Sequence, residues 1–315
     1  MNGLARILVT AMFLCGLIAS AHARDASEPK AVLVTGASSG IGYKIAEVLA
    51  GNGFHVYAGA RKAEDLARLD EMHNITAVRL DVTVQADIQA AVEFVRKEGR
   101  GLWGIVNNAG VARYSPLATA PIEDVEFTFD VNVFGPIRVN RAFLPLVIES
   151  GGRTATISSL NGFVAGPGDG GYTASKFAVE GYTDSLALEL AETGVHVAVV
   201  EPGGYKTRIR DKLVTEALAS AKAGEFDLSD EEREELARYQ ESNESMKEPD
   251  EVAQAVLHLM TSDAPKKRYM VAPNPRQAAV TIRAALERVV QLNTDQPYSY
   301  DRDELVALLD ELLGD

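Results

Sequence analysis

The chain has 315 residues, 46% hydrophobic and 24% charged, the make-up of a soluble globular protein with one large or two ordinary domains. Its formal net charge of −14 speaks against a nucleic-acid partner and against a polybasic membrane-binding patch. Much of that charge is local: residues 225–251 hold twelve acidic and three basic side chains, expected to form a solvated helical face.

Residues 1–6 carry one positive charge, 7–21 are almost wholly apolar, and Ala21-His22-Ala23 has the small-x-small form of a cleavage site. That is the layout of a secretory signal peptide over residues 1–23, and the apolar run is short for a full membrane span. The competing reading is an uncleaved N-terminal membrane anchor. Arg6 on one side and Arg24 and Lys30 on the other leave its orientation open. Cleavage would remove Cys15, the sole cysteine, and leave no possible disulfide.

From residue 30 short apolar runs alternate with amphipathic helical stretches, the βαβ pattern of a parallel sheet covered on both faces. Strands are expected at 31–34, 55–58, 77–80, 102–106, 154–158, 196–200 and 268–271, with helices at 41–50, 63–70, 85–98, 122–149, 172–192 and 249–260. This predicts one α/β domain over 30–271, a Rossmann-like doubly wound sheet of about seven strands. A helical insertion at 205–243 would cover the substrate, and a helical extension would occupy 272–315.

The first strand runs into Thr35-Gly36-Ala37-Ser38-Ser39-Gly40-Ile41-Gly42 and then a helix. Glycines there permit a tight turn and let backbone amides approach a pyrophosphate at the positive end of the helix. The spacing is GxxxGxG rather than GxGxxG, in the strand–turn–helix context a dinucleotide site needs. At the end of the second strand, Ala60-Arg61 replaces the acid that selects a ribose 2′-hydroxyl, and Arg61 suits a 2′-phosphate, so the expected cofactor is NADP(H). Asp81-Val82 closes the third strand where a carboxylate could accept from an adenine amino group; an N-cap role for Asp81 or Thr83 competes.

Asn107-Asn108-Ala109-Gly110 ends the fourth strand, with small residues for a cofactor to lie on and Asn side chains to tie strands together. Asn132 stands inside an apolar helical stretch, where it can bond to backbone and locally open the helix. Ser158 and Ser159 reach the carboxyl edge of the fifth strand, pointing to opposite faces if the strand stays regular. Pro202-Gly203-Gly204 and Thr207 follow the sixth, where a rigid Pro and a bare Gly would let backbone pass close to a nicotinamide. Tyr172 and Lys176, four apart on a helix, project from one face. A free phenol has a pKa of about 10, and a neighbouring ammonium lowers it toward a working acid–base value.

Together these residues resemble the short-chain dehydrogenase/reductase family over residues 30–271. Thr35–Gly42 looks like its phosphate-binding turn, Asn107–Gly110 like its NNAG segment, Tyr172–Lys176 like its YxxxK motif and Pro202-Gly203 like its PG turn. Gly53–Gly59, Arg100–Gly104, Glu201-Pro202-Gly203 and Pro265–Tyr269 are similar to the branch containing retinol, hydroxysteroid and 3-hydroxybutyrate dehydrogenases. The resemblance implies a catalytic set of Asn132, Ser159, Tyr172 and Lys176, with Ser159 preferred over Ser158 by its separation from Tyr172. It implies cofactor contacts at Gly36, Ser38, Ser39, Gly40, Ile41, Gly42, Arg61, Asp81, Val82, Asn108, Ala109, Gly110, Pro202, Gly203 and Thr207, besides Tyr172 and Lys176.

The implied activity is hydride transfer between NADP(H), less readily NAD(H), and a carbonyl or alcohol. The implied assembly is a dimer or tetramer through the stretches 122–149 and 172–192. Phe163, Val164, Pro167, Ile209 and Leu213 point to an apolar substrate. A 3-oxoacyl/3-hydroxybutyrate-type reductase and a non-catalytic nucleotide sensor are the alternatives. The five histidines show no metal-ligand spacing, and no carboxylates pair in a catalytic context. A leader points to export or anchoring, whereas the cofactor points to a domain facing the cytoplasm.

Overall fold

The computed structural model describes residues 29–113, 116–224 and 227–314, so the expected leader at 1–23 lies outside the described residues. Seven parallel strands form one sheet: β1 (Ala31–Val34), β2 (His55–Ala60), β3 (Ile75–Arg79), β4 (Gly104–Asn107), β5 (Arg153–Ile157), β6 (His196–Pro202) and β7 (Arg268–Val271). Their order is β3-β2-β1-β4-β5-β6-β7. Chain direction along the sheet reverses between β1 and β4, and the crevice at such a switch point is where α/β folds bind ligands. The expected doubly wound Rossmann-like fold is therefore present. Strand ends shift by up to two residues: β4 starts at Gly104 rather than 102, and β3 begins at Ile75 rather than 77.

Both faces of the sheet are apolar, which is why strands such as Ala31-Val32-Leu33-Val34 read as unbroken hydrophobic runs. Val32 and Val34 face one layer, where they meet Ile45 and Leu49 of α1 (Gly40–Gly51), Leu69 of α2 (Ala63–Asp70) and Val256 of α9 (Asp250–Thr261). Ala31 and Leu33 face the other, with Val92 of α3 (Gln85–Glu98), Phe143 of α5 (Gly135–Glu149) and Leu186 of α6 (Gly170–Glu189). Two buried clusters of this kind hold each strand between hydrophobic layers, and burial at roughly 25 cal/mol per Å² is the dominant stabilising term.

The single helix expected at 122–149 is two. α4 (Ile122–Phe129) and α5 are separated by a π-helical turn, Asp130–Phe134, with Asn132 at its centre. Asn132 Oδ1 accepts from Val111 N–H at 2.8 Å and its Nδ2 donates to Val111 C=O at 2.9 Å. A buried amide with those partners holds the widened turn open, as its place in an apolar helix led one to expect.

Beyond β6, α7 (Arg208–Ala223) and α8 (Asp230–Glu244) close on a small core of Leu213, Val214, Ala217, Leu228 and Leu236, against which Ala112 and Tyr172 also pack. The acidic run supplies the largely exposed face of α8, begun by a capping box between Ser229 and Glu232. The extension carries α10 (Pro275–Asn293) and α11 (Arg302–Leu313). Among the described residues no helix is long and apolar enough to cross a membrane.

Gly181, mid-way along α6, has nothing within 4 Å of where a Cβ would stand. Gly181→Ala is expected to stabilise the fold by about 0.5–1 kcal/mol through helix propensity alone. The check is a raised urea midpoint at unchanged slope, and a lowered midpoint would contradict the expectation.

Candidate active site

The turn after β1 is shaped by two glycines that no other residue could replace. At Gly36, φ is +65° and a Cβ would lie 2.8 Å from the Ala109 backbone. At Gly42 it would lie 2.2 Å from Asn108 Nδ2 and 2.4 Å from the Gly36 carbonyl oxygen. The turn is therefore pressed against the end of β4, and the Asn107–Gly110 segment ties them. Asn108 Nδ2 donates to the carbonyls of Thr35 at 2.9 Å and Gly36 at 3.1 Å, while Thr35 Oγ1 accepts from the amides of Asn108 and Ala109, each at 3.0 Å. Asn107 Nδ2 donates to Asn140 Oδ1 at 2.9 Å, and Thr154 Oγ1 reaches the same oxygen at 3.0 Å. Bare backbone at a helix N-terminus is the form of site that takes a pyrophosphate.

A cleft of about 540 Å³ runs along the carboxyl edge of the sheet. Its wall includes Gly36, Ser38, Ser39, Gly40, Ile41, Gly42, Arg61, Asp81, Val82, Asn108, Ala109, Gly110, Ser159, Tyr172, Lys176, Pro202, Gly203 and Thr207. Every expected site residue but Asn132 is among them. Asn132 stands behind the wall, 2% exposed, and its Nδ2 also donates to Ser175 Oγ at 3.0 Å.

Arg61 lies at the end of the cleft beside β2 and β3, half exposed and 3.4 Å from Asp81 Oδ2. Asp81 Oδ1 accepts from Thr83 N–H at 3.0 Å and Thr83 Oγ1 at 2.7 Å. Against the cost of burial, those bonds and the Arg61 charge hold the Asp81 carboxyl below its usual value. Neither Asp81 nor Thr83 caps α3, whose N-cap is Val84.

At the other end Lys176 is buried, with Nζ 2.9 Å from the Ile157 carbonyl oxygen and 5.5 Å from the centre of the Tyr172 ring. Burial lowers its pKa to about 8, opposed by the negative charge of Glu180. Ser159 Oγ accepts from Asn161 N–H at 3.1 Å, fixing the short turn Leu160–Gly162. β5 ends at Ile157, so the regular alternation expected for the two serines fails and both line the cleft. Ser158 Oγ has no hydrogen-bond partner among the described residues.

The wall over Tyr172 departs from expectation in part. Ile209 and Leu213 of α7 contribute as foreseen, joined by Phe127 and Leu160, whereas Phe163, Val164 and Pro167 are not on it. Phe163 instead lies under the Arg268 guanidinium, 5.7 Å from its ring centre. Arg208, Lys212 and Glu216 add charges of both signs to the wall, Arg113 is paired with Asp124 at 2.9 Å, and Asn161 and Asp169 add polar groups. Gln277 of α10 also reaches the wall, its Oε1 accepting from Gly204 N–H at 2.8 Å.

Away from the Tyr172 hydroxyl, three carboxylates gather on one guanidinium. Glu180 of α6 and Glu201 of β6 both bind the Arg268 guanidinium, Glu201 Oε1 at 2.9 Å, and Asp184 holds its other nitrogen at 2.6 Å. The histidines outside the leader have structural partners where they are bonded: His55 with Thr76 Oγ1 at 3.2 Å, His196 with the Lys266 carbonyl at 3.1 Å and His258 with the Tyr269 hydroxyl at 2.9 Å.

The short chain dehydrogenase family model matches residues 30–218, from β1 into α7. The chain belongs to the short-chain dehydrogenase/reductase family. It is 36% identical over 244 residues to the uncharacterized oxidoreductase YbbO of Escherichia coli K12, covering 77% of this chain and 85% of the relative. It is 31% identical over 265 residues to the mitochondrial D-beta-hydroxybutyrate dehydrogenase of Mus musculus, covering 78% and 77%. A short chain dehydrogenase of Burkholderia cenocepacia, solved in complex with NADP, superposes with a TM-score of 0.63 at 25% identity, over 86% of this chain and 99% of that one. As a short-chain dehydrogenase/reductase this chain is an NAD(P)-dependent oxidoreductase.

Proposed function

We propose that this enzyme is NADP(H)-dependent and interconverts a carbonyl and a secondary or primary alcohol, with Tyr172 as acid and base. The observation that carries the reading is a buried Lys176 nitrogen 5.5 Å from the Tyr172 ring, inside a cleft that begins at a glycine-shaped turn. The bound nicotinamide supplies the hydride. During reduction Tyr172 donates its proton to the carbonyl oxygen, and during oxidation it accepts one. Ser159 donates a hydrogen bond to that oxygen as negative charge develops on it. The Lys176 ammonium lowers the phenol pKa and holds the nicotinamide ribose. Asn132 supports a water through which Lys176 is resupplied with protons.

Arg61 in place of an acid supports NADP(H) over NAD(H). Arg61→Ala is expected to weaken NADPH binding by roughly ten- to hundredfold, the worth of one or two charge-assisted hydrogen bonds, and to leave NADH binding nearly unchanged. Fluorescence titration of both nucleotides checks this, and equal losses for the two would refute the assignment.

Ile209, Leu213, Phe127 and Leu160 support a substrate with an apolar body. A second reading, a 3-oxoacyl or 3-hydroxybutyrate-type reductase, is favoured by the cations Arg208 and Lys212 on the cleft wall and by the likeness to D-beta-hydroxybutyrate dehydrogenase. NADPH oxidation measured against aromatic ketones, steroid ketones and 3-oxo acids separates them. Turnover of the acids alone supports the second, and tight NADPH binding without turnover of any would return the chain to the sensor reading. Assembly through α4, α5 and α6 as a dimer or tetramer belongs to the same proposal. So do residues 30–271 as its catalytic domain, the helices over 205–243 as its substrate cover and 1–23 as a leader or anchor.

A further inference from the structure

Beneath the tyrosine and lysine lies a buried charge cluster that the reaction as described does not use. Tyr172, Lys176 and Glu180 follow one another at i, i+4 and i+8 along a single face of α6. Glu180 is 7% exposed. One of its oxygens is bound by Arg268 of β7, and the other, Oε1, accepts no hydrogen bond from any N–H or O–H among the described residues. A Cβ on Gly162 would lie 2.7 Å from that Oε1 and 2.9 Å from Cγ, so the turn that follows Ser159 rests directly on this carboxylate. Charged groups face Glu180 from three elements: Lys176 and Asp184 from α6, Glu201 from β6 and Arg268 from β7. The turn and Phe163 bring none.

We infer that Glu180 is a positioning residue for the proton-transfer pair, supplying the buried negative charge that keeps Lys176 an ammonium and seating the turn that carries Ser159. This rests on the reading above for the role of Lys176. The reason is electrostatic. Among the described residues Lys176 has one neutral hydrogen-bond acceptor, the Ile157 carbonyl, and burial alone drives it toward the uncharged amine. Its ammonium persists below its pKa of about 8 and is lost as pH rises through it, so any loss of nearby negative charge moves that loss to lower pH. Arg268 holds the carboxylate in place from across the sheet edge. Burial, then the charge of Glu180, push the Glu201 carboxyl above its usual value, against the pull of Arg268.

The test is the titration of Lys176 itself in the full chain, with lysines labelled at Cε, followed by NMR and assigned by the signal lost in Lys176→Arg. Glu180→Gln is expected to lower the Lys176 midpoint by about one pH unit or more. Glu201→Gln, which imitates the protonated neighbour, leaves it within about half a unit. Alcohol oxidation by Glu180→Gln should lose about tenfold in kcat, with KM for the alcohol within about twofold. An unmoved lysine midpoint in Glu180→Gln overturns the inference, even if activity falls, because the loss is then structural. Should that variant not fold, Glu180→Asp decides: its retracted charge must lower the midpoint by a smaller amount, and an unchanged midpoint overturns the inference equally. Wild-type protein that turns over no carbonyl or alcohol would defeat the proposed function, while the lysine titration would still judge Glu180.

Discussion

Tyr172→Phe is expected to abolish carbonyl reduction, by a factor of about 10³ or more, the usual range for a lost general acid. The substitution removes a single oxygen. The ring stays, and with it the contacts that Tyr172 makes with the small core under α7 and α8. Lys176 keeps its bond to Ile157, and the glycine turn at the far end of the cleft is untouched. NADPH affinity should therefore change by less than about threefold, since at most one weak hydrogen bond is lost from it. Steady-state rates with the best substrate of the panel, beside fluorescence titration of NADPH, give the two numbers. Activity within tenfold of wild type would defeat Tyr172 as the proton donor. Equal losses of binding and turnover would mean that the phenol holds cofactor instead.

Gly42→Ala is the second large effect, and it acts through shape. The added methyl would stand 2.4 Å from a backbone oxygen and 2.2 Å from the Asn108 amide, which itself ties the turn to β4. Neither neighbour is the loose end of a flexible chain, so the turn must open. A loss of about 2–3 kcal/mol is expected, typical of an overpacked site. In a protein of this size that lowers Tm by roughly 5–10 °C. Nucleotide binding should fall by more than about a hundredfold, because the amides that face the pyrophosphate move together. Calorimetry and titration check both halves. Unaltered Tm and unaltered affinity would show that the turn yields without cost.

Most of the frame could be read from residues alone because its determinants are local. Apolar runs bounded by turn residues locate strands without knowledge of what they pair with, and β1, α2, α3 and β7 fall where the pattern puts them. The motifs at Gly36–Gly42 and Tyr172–Lys176 are also local, since a tight turn and an i, i+4 pair are fixed by neighbours in sequence. What escaped was set by distance in the chain. The meeting of Glu180 with Glu201 requires Arg268, 88 residues further on from Glu180. Gln277 belongs to a stretch with no motif, and it reaches the cleft only because α10 starts where β7 stops. The π turn at Asn132 was half legible: a polar residue in an apolar helix signalled a local opening, but the partner at Val111 that sets its width lies 21 residues earlier.

The bond from Gln277 to Gly204 bears on how the protein matures. A cleft whose first wall is made at Gly36 and whose last hydrogen bond comes from Gln277 is not finished until nearly all of the polypeptide has left the ribosome. Synthesis at about 5–20 residues per second leaves many seconds during which the nucleotide-binding half exists without its closing partner. A truncation that stops after β7 would reproduce that immature species as a permanent one, with the amide of Gly204 left to solvent.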